Sequence, residues 1–541
     1  MRKKISMLAL AGALVIPGAA LAQELSLEEK VEALTREVEE LKAHTAEIDD
    51  TLWHDMSTRF HLSGDFRSRY DYYSRDRYVG TNYVDTGSGV MMPTDIKKVT
   101  EKNSSLMTNR LRLNMYARAQ ENVEFVGRLA MFKAWGMQST PDNTGDFPAI
   151  DGNSSRRPED NKLLVDRAII NWNNIADTNF WFSIGRRPTT DGPPSQLRMN
   201  SETRLATPLS YMDWPFDGLT IGYAYDSLFN VIDLPGRVRF CFGRGFEAGL
   251  GENTLKDTDF MGISWDIYNN NDRFVYFQSY VAKDVFNFPD MDQAIVDQMN
   301  QDMAYSALAM AQSYGLTPAQ YGPIFEGMTP MERDNIGDIY HTAALYKDRA
   351  QNFHYFVAGG WSRTDPNSNG MFNDNAAGMQ DLQAALAMTA GLNPGDPGYV
   401  PFANYSPNTS SENGYSIYLG ARYDLPNTQF KFGLEYNYGS EYWIGMSPGH
   451  DDIYASKLAT RGHVYEVYGI YDIPGRAVSS FGNAFIRVGY QHYDYNYTGS
   501  LDWNTKPYDL SSSSERAMAT YMGIETVDKA DQVYVTFEAR F

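Results

Sequence analysis

Cysteine is nearly missing from this chain: Cys241 is the only one among 541 residues. That excludes an intrachain disulfide and a cysteine-built metal site. Long apolar runs are missing as well. After Ala20 no stretch approaches the roughly 18 apolar residues of a spanning helix, and mean hydropathy is −0.46, so the chain is not a helical membrane protein. Positive charge is short, with 47 Lys and Arg against 68 Asp and Glu and a net charge of −21. Such acidity argues against a nucleic-acid partner. H-E-x-x-H and P-loop patterns do not occur. His61 and His492 fall on strand patterns and read as wall residues, not catalytic ones. Asp142-Asn-Thr-Gly-Asp146 lacks the ligand spacing of a calcium loop. No enzyme activity, cofactor or metal is expected.

Aromatic residues, by contrast, are plentiful, at 14% of the chain with 37 Tyr. Their setting is period-two alternation. The chain ends in Val533-Tyr-Val-Thr-Phe-Glu-Ala-Arg-Phe541, with Val533, Val535, Phe537, Ala539 and Phe541 on one face and Tyr534, Thr536, Glu538 and Arg540 on the other. One face can meet an apolar phase and the other water. A β-barrel in a bilayer explains high aromatic content at low mean hydropathy, because only alternate residues face lipid and aromatics form girdles at both interfaces.

The other end carries an address. Arg2, Lys3 and Lys4 precede an apolar run from Ile5 to Ala20, and Ala20-Leu-Ala22 forms a small-x-small cleavage site. Residues 1–22 are expected to be a secretory signal peptide. Over 23–53, Leu27, Val31, Leu34, Val38, Leu41, Thr45, Ile48 and Leu52 form a heptad seam among charged residues. Two readings stand: a single amphipathic helix, or a periplasmic coiled coil joining protomers. In the second, Val31, Leu34, Val38, Leu41 and Ile48 carry the oligomerisation. Valine at a and leucine at d lean towards two strands.

From residue 54 onward the alternation marks about sixteen strands, 14 to 18 allowing for one missed or split hairpin. They lie near 60–72, 108–118, 123–134, 162–173, 179–187, 216–226, 236–246, 257–268, 273–284, 337–347, 352–363, 413–424, 428–439, 463–472, 483–496 and 530–541. Most match the roughly 9–11 residues a tilted strand needs to cross a bilayer. Mostly long loops, near 74–105, 135–161, 188–215, 285–336, 364–412, 440–462 and 497–529, alternate with brief turns. The fold class expected is all-β: a transmembrane, antiparallel, up-and-down barrel with a short N-terminal helix. Helical spacing is also expected inside two loops, at Asp290–Tyr314 and Met379–Met388. Their methionines read as packing for a loop cap, not as a soft-metal site.

The signal peptide, the alternating strands, the order of short turns and long loops, and the terminal Phe541 together resemble Gram-negative outer-membrane porins. The heptads before a barrel look similar to porins of the phosphate-selective type. The resemblance implies a water-filled channel for small hydrophilic solutes or ions, outer-membrane lipid and lipopolysaccharide around it, and a homotrimer. It implies that the barrel assembly machinery reads Phe541. It also implies a loop after the fifth strand that narrows the pore, here Pro188–Pro215, with Asp191, Arg198, Glu202, Arg204 and Asp213 as its charged residues.

The lumen-facing positions repeatedly select arginine: Arg67, Arg69, Arg110, Arg112, Arg128, Arg167, Arg187, Arg237 and Arg239, with Arg118, Arg422 and Arg487 besides. An anion preference is expected from such a wall, tempered wherever Asp65, Asp71, Glu435, Glu538 and other acids pair with it. Glu538 and Arg540, near the mouth where the chain ends, are expected to lie far from any loop-built eyelet and to matter little for selectivity. The alternative is a structural or ligand-specific barrel, a cytochrome sheath or siderophore-type receptor, without general pore activity.

Overall fold

A computed structural model of the chain describes Arg36, Val38 and most of residues 59–541. It leaves out 86–90, 137–160, 188–191, 202–208, 210, 213–215, 228–233, 249–254, 271, 288–292, 327–332, 448–450 and 476–481. The chain divides into two units, Met1–His61 and Leu62–Phe541. In the first, Arg36 and Val38 are helical. The expected signal peptide and the other heptad positions, Val31, Leu34, Leu41 and Ile48, lie outside the described residues.

The second unit is a closed antiparallel barrel of sixteen strands in which each strand pairs with its sequence neighbours. The strands are β1 (Phe60–Asp85), β2 (Met91–Gln120), β3 (Val123–Ala134), β4 (Leu164–Trp172), β5 (Phe180–Arg187), β6 (Phe216–Tyr225), β7 (Gly236–Phe246) and β8 (Thr258–Asn269). They continue as β9 (Phe274–Phe286), β10 (Asn335–Ala350), β11 (Phe353–Pro366), β12 (Asn413–Asp424), β13 (Phe430–Gly439), β14 (Gly462–Asp472), β15 (Asn483–Tyr495) and β16 (Val527–Arg540). Brief turns crowd one mouth, where the chain also ends, and the long loops crowd the other.

Alternation produces two chemically different surfaces. On β16, Val533, Val535 and Phe537 are exposed while Tyr534, Thr536 and Glu538 are buried. The same outward pattern holds at Ile184, Ile221, Phe240, Ile263, Val357, Leu434, Val467 and Val488, all exposed. A contiguous apolar belt of this kind suits hydrocarbon, not water. At the turn mouth Trp172, Phe180, Phe353, Tyr423 and Phe430 add an exposed aromatic girdle, with Phe180 and Tyr223 rings 4.8 Å apart.

Closure is made by β1 and β16, whose register runs from Asp65 opposite Arg540 to Arg77 opposite Val527. Beyond it, the Phe541 amide donates to the Gly64 carbonyl at 3.0 Å and the Gly64 amide to the Phe541 carbonyl at 2.7 Å. Glycine is required at 64: a Cβ there would lie 2.8 Å from both the Phe541 ring and the Arg112 carbonyl.

The loop expected over 74–105 is largely strand. β1 and β2 run to 26 and 30 residues and rise beyond their neighbours as a hairpin. Past Tyr73 both faces are polar, so no apolar alternation marks the pairing. Cross-strand polar contacts hold it instead: Arg75 and Arg77 to Glu101 at 2.8 and 2.6 Å, and Thr100 to Asp76 at 2.7 Å.

Helices sit in the long loops: α1 (Gln293–Ser313), α2 (Pro318–Glu326), α3 (Asn375–Thr389) and α4 (Ser513–Tyr521). α1 and α3 match the expected spacing, whereas α2 and α4 are additional. Ala311, Leu316, Leu382, Leu386, Tyr321 and Phe325 pack α1, α2 and α3 together.

Val535 lies mid-strand between Tyr70 on β1 and Val488 on β15. Val535→Arg should destabilise the barrel in phospholipid by about 2–4 kcal/mol, as a charge in the apolar belt does, whereas Val535→Leu should be near neutral. Equilibrium denaturant unfolding checks this; equal stability of the two variants would mean that Val535 does not face lipid.

Candidate functional site: the barrel interior

The interior is built from the inward positions of the strands and from two loops that turn back into it. The first lies between β5 and β6. Its described residues, 192–201, 209, 211 and 212, are buried, and the loop is bonded across the barrel. The Arg422 guanidinium donates to the Leu197 carbonyl at 3.0 Å and that of Arg487 to the Arg198 carbonyl at 2.7 Å. Lys431 donates to the Asn200 side chain at 2.7 Å. Arg198 itself reaches Asp452 at 2.6 Å and Glu466 at 3.1 Å. Asp191, Glu202, Arg204 and Asp213 lie outside the described residues.

The second loop, 440–461 between β13 and β14, reads as an ordinary outer loop in sequence. Its described residues mostly lie inside the wall. Trp443 is fully buried, donates from its indole to the Leu458 carbonyl at 2.8 Å, and packs edge-on to Tyr211 of the first loop, 5.0 Å between centroids. Gly360 on β11 makes room: a Cβ there would come within 2.4 Å of the Trp443 ring. Lys457 bonds Glu435 on β13 and Glu466 on β14, the latter at 2.6 Å. Glu466 thus joins both loops to the wall, and it also accepts from Tyr534 at 2.6 Å.

Asp451 is the most heavily paired loop residue. Its carboxylate meets Arg67 on β1, Arg110 on β2 at 3.0 Å and Arg487 on β15 at 3.3 Å. Burial opposes its ionisation, but these guanidiniums override that and hold the carboxyl well below its ordinary value of 3.8.

The nine arginines expected along the lumen all lie on the barrel wall, and they divide into two groups. Arg67, only 1% exposed, is bonded to Asp451. Arg69 pairs with Asp71 at 2.8 Å. Arg110 and Arg112 share Asp65, at 3.1 and 2.7 Å, and Arg110 also meets Glu538 at 3.4 Å. This group is committed to carboxylates on the wall and on the second loop. Around the other side, Arg128 pairs with Asp166 and sits directly opposite Arg167 in the β3–β4 register. Arg237 and Arg239 share the single Asp266, at 2.6 and 3.7 Å. Among the described residues, Arg187 bonds only hydroxyl and carbonyl oxygens.

Arg540 is not far from the loop expected to narrow the pore. Arg540 donates to the Asn200 carbonyl at 3.0 Å and to that of Met199, so the first loop descends to the mouth where the chain ends. Sequence spacing places Arg540 by strand depth; how far a loop descends is not a periodic property. Asp451, Asp452, Trp443, Lys457 and Glu466 were likewise not singled out by strand periodicity. A signal existed: Trp443-Ile-Gly-Met446, Ile453-Tyr-Ala455 and Leu458-Ala459 are too apolar for a wholly solvated loop.

A model of a protein family described as a protein of unknown function, DUF3373, matches residues 100–541. The chain belongs to the DUF3373 family. No curated protein matches this DUF3373 chain. Among solved structures it is similar to the anion-selective porin from Comamonas acidovorans, at 10% identity and TM-score 0.39, covering 89% of this chain and 99% of that one. It is also similar to Salmonella typhi OmpF in complex with daunomycin, at 11% identity and TM-score 0.37, covering 89% and 97%. A third is the outer membrane channel DcaP of Acinetobacter baumannii, at 10% identity and TM-score 0.36, with the same coverage. The barrel of the DUF3373 chain is established by its own strand pairing.

Asp451→Asn removes the shared partner of three buried guanidiniums, a loss of about 3–5 kcal/mol by analogy with other broken buried pairs. Loop 440–461 should then become cleavable by protease while the native loop resists. A depressed carboxyl stabilises in full above its unfolded value, and that contribution is lost only as pH falls through the lower folded value. Native resistance should therefore be equal at about pH 7 and about pH 5, still above the ordinary 3.8; loss of protection already at about pH 5 would contradict the assignment.

Proposed function

We propose that this chain forms a water-filled diffusion channel for small hydrophilic solutes or ions in the outer membrane of a Gram-negative bacterium. The observation that carries this reading is a closed barrel with an apolar outer face, a charged inner face and loops folded inward between the two mouths. On this reading the turn mouth, where Phe541 ends, faces the periplasm. Lipopolysaccharide and lipid surround the apolar belt, and the barrel assembly machinery reads Phe541. Residues 1–22 are removed as a signal peptide. Residues 23–53 form a periplasmic coiled coil through Val31, Leu34, Val38, Leu41 and Ile48, joining a homotrimer as in porins of the phosphate-selective type. Inward arginines give the channel a weak anion preference. A sheath around a cytochrome is disfavoured, because residues 192–201 and the described residues of loop 440–461 occupy interior space such a partner would need.

Planar bilayers test the channel. Ohmic single-channel conductance is expected, with a reversal potential in a potassium chloride gradient shifted towards chloride. Saturable binding of one ligand without conductance would overturn it in favour of a specific receptor, and clear cation selectivity would sink the anion preference. Leu34→Glu with Leu41→Glu should reduce the native size of the detergent-solubilised assembly without unfolding the barrel; an unchanged size would remove the coiled coil from the assembly.

A further inference from the structure

The arginines of the interior are unevenly answered. On β1, β2, β12, β15 and β16 they meet the carboxylates of Asp65, Asp71, Asp424, Asp451 and Glu538, and Arg198 on the first loop meets Asp452 and Glu466. On the inner face of β5–β8, among the described residues, the charged side chains are Arg187, Arg237, Arg239 and Asp266. Among the described residues, that arc carries two positive charges in excess of its one carboxylate.

Arg187 donates to the Thr220 hydroxyl, to the Ser183 hydroxyl at 2.8 Å, and to the Ser183 and Gly218 carbonyls at 3.1 and 3.2 Å. All are neutral, and its buried Nε has no partner. Arg239 is 7% exposed. Its Nε donates to Ser264 at 2.9 Å, while one terminal nitrogen makes no hydrogen bond and stands 3.7 Å from Asp266, whose nearer partner is Arg237. The register places the two arginines around one row: Ser183 opposite Thr220, Thr220 opposite Cys241, and Gly222 opposite Arg239. Thr220 Oγ1 lies 3.6 Å from Cys241 Sγ. Gly218, Gly243 and Gly262 send no side chain into this part of the interior.

We propose that Arg187 and Arg239 form an oxyanion-binding step on the lumen wall, a resting place for a phosphate-like or carboxylate solute in passage. The proposal deepens the channel reading and rests on it. A guanidinium enclosed by hydroxyls and carbonyls keeps its full charge in a poorly solvated place, which is costly unless an anion answers it. Planar forks with spare N–H groups suit oxyanions better than chloride. The committed arginines at 67, 69, 110 and 112 have no such spare charge.

Cys241, the only cysteine, is a resident reporter beside this step. In the full-length protein in detergent micelles, an anionic methanethiosulfonate should modify Cys241 about tenfold faster than a cationic one, the lower range of electrostatic steering. Both rates are taken relative to those with a small free thiol, so the ratio cancels the reactivity of the thiol and of the reagents. Inorganic phosphate, and in a separate arm succinate, should slow the anionic reagent, whereas chloride at equal ionic strength should not; whichever protects names the solute class. Arg187→Gln should bring the ratio near one and abolish protection. Arg187→Lys should keep the preference for the anionic reagent, and Arg349→Gln, at the exposed end of β10, should change nothing. Heat-modifiable mobility on gels verifies folding of each variant. Equal rates in the native protein, no labelling by either reagent, no protection by either oxyanion, or an unchanged ratio in folded Arg187→Gln would each overturn the site. Conductance on the same preparation separates the two ideas. Ohmic current without charge discrimination at Cys241 removes the site and leaves the channel; discrimination without current keeps a binding site and removes the channel.

Discussion

No backbone amide can go unanswered in hydrocarbon, and the whole molecule follows from that constraint. Sixteen strands satisfy one another only if the last returns to the first. The paired bonds between Gly64 and Phe541 extend that return to the final residue of the chain. Each hairpin adds two strands, so an even number brings the chain end back to the mouth where β1 begins. With the edges gone, alternation alone sorts the side chains, apolar outward and polar inward.

Sorting polar residues inward creates a second problem, because the charges that face the lumen must be neutralised or hydrated. The two sides of the barrel meet it differently. On β12–β16 and β1–β2, loops 192–201 and 440–461 fill the interior, and their carboxylates and carbonyls answer the wall's arginines. Glu466 binds both loops at once, through Arg198 and Lys457. On β5–β8 the wall is lined by glycine and hydroxyl residues, and among the described residues its arginines outnumber their partner. A barrel of nearly uniform inner composition is thereby divided into a structural side and a side with charge to spare.

Much of the fold was legible in sequence, for one reason: strand periodicity is local. Segments such as Val123–Ala134 and Gly236–Phe246 announce both ends, because apolar and polar residues alternate until a turn residue stops them. The upper parts of β1 and β2 were not legible, since Arg75, Arg77 and Glu101 pair by charge in a stretch with no apolar face. Of the site, the inward arginines were legible by parity along each strand. Their partners were not. Arg67 meets Asp451 across 384 residues of sequence, and nothing local at either position names the other.

By itself the sequence determined the strands, their even number, the apolar belt and the aromatic end, because each depends on residue parity and turn chemistry within about a dozen positions. Only the tertiary structure decided that the described residues of loop 440–461 enter the barrel, that Arg540 holds the first inward loop, and that, among the described residues, Arg187 meets hydroxyls and carbonyls while Arg110 meets three carboxylates. Those outcomes depend on which side chains closure brings face to face across the lumen, a distance in space that no spacing along the chain encodes.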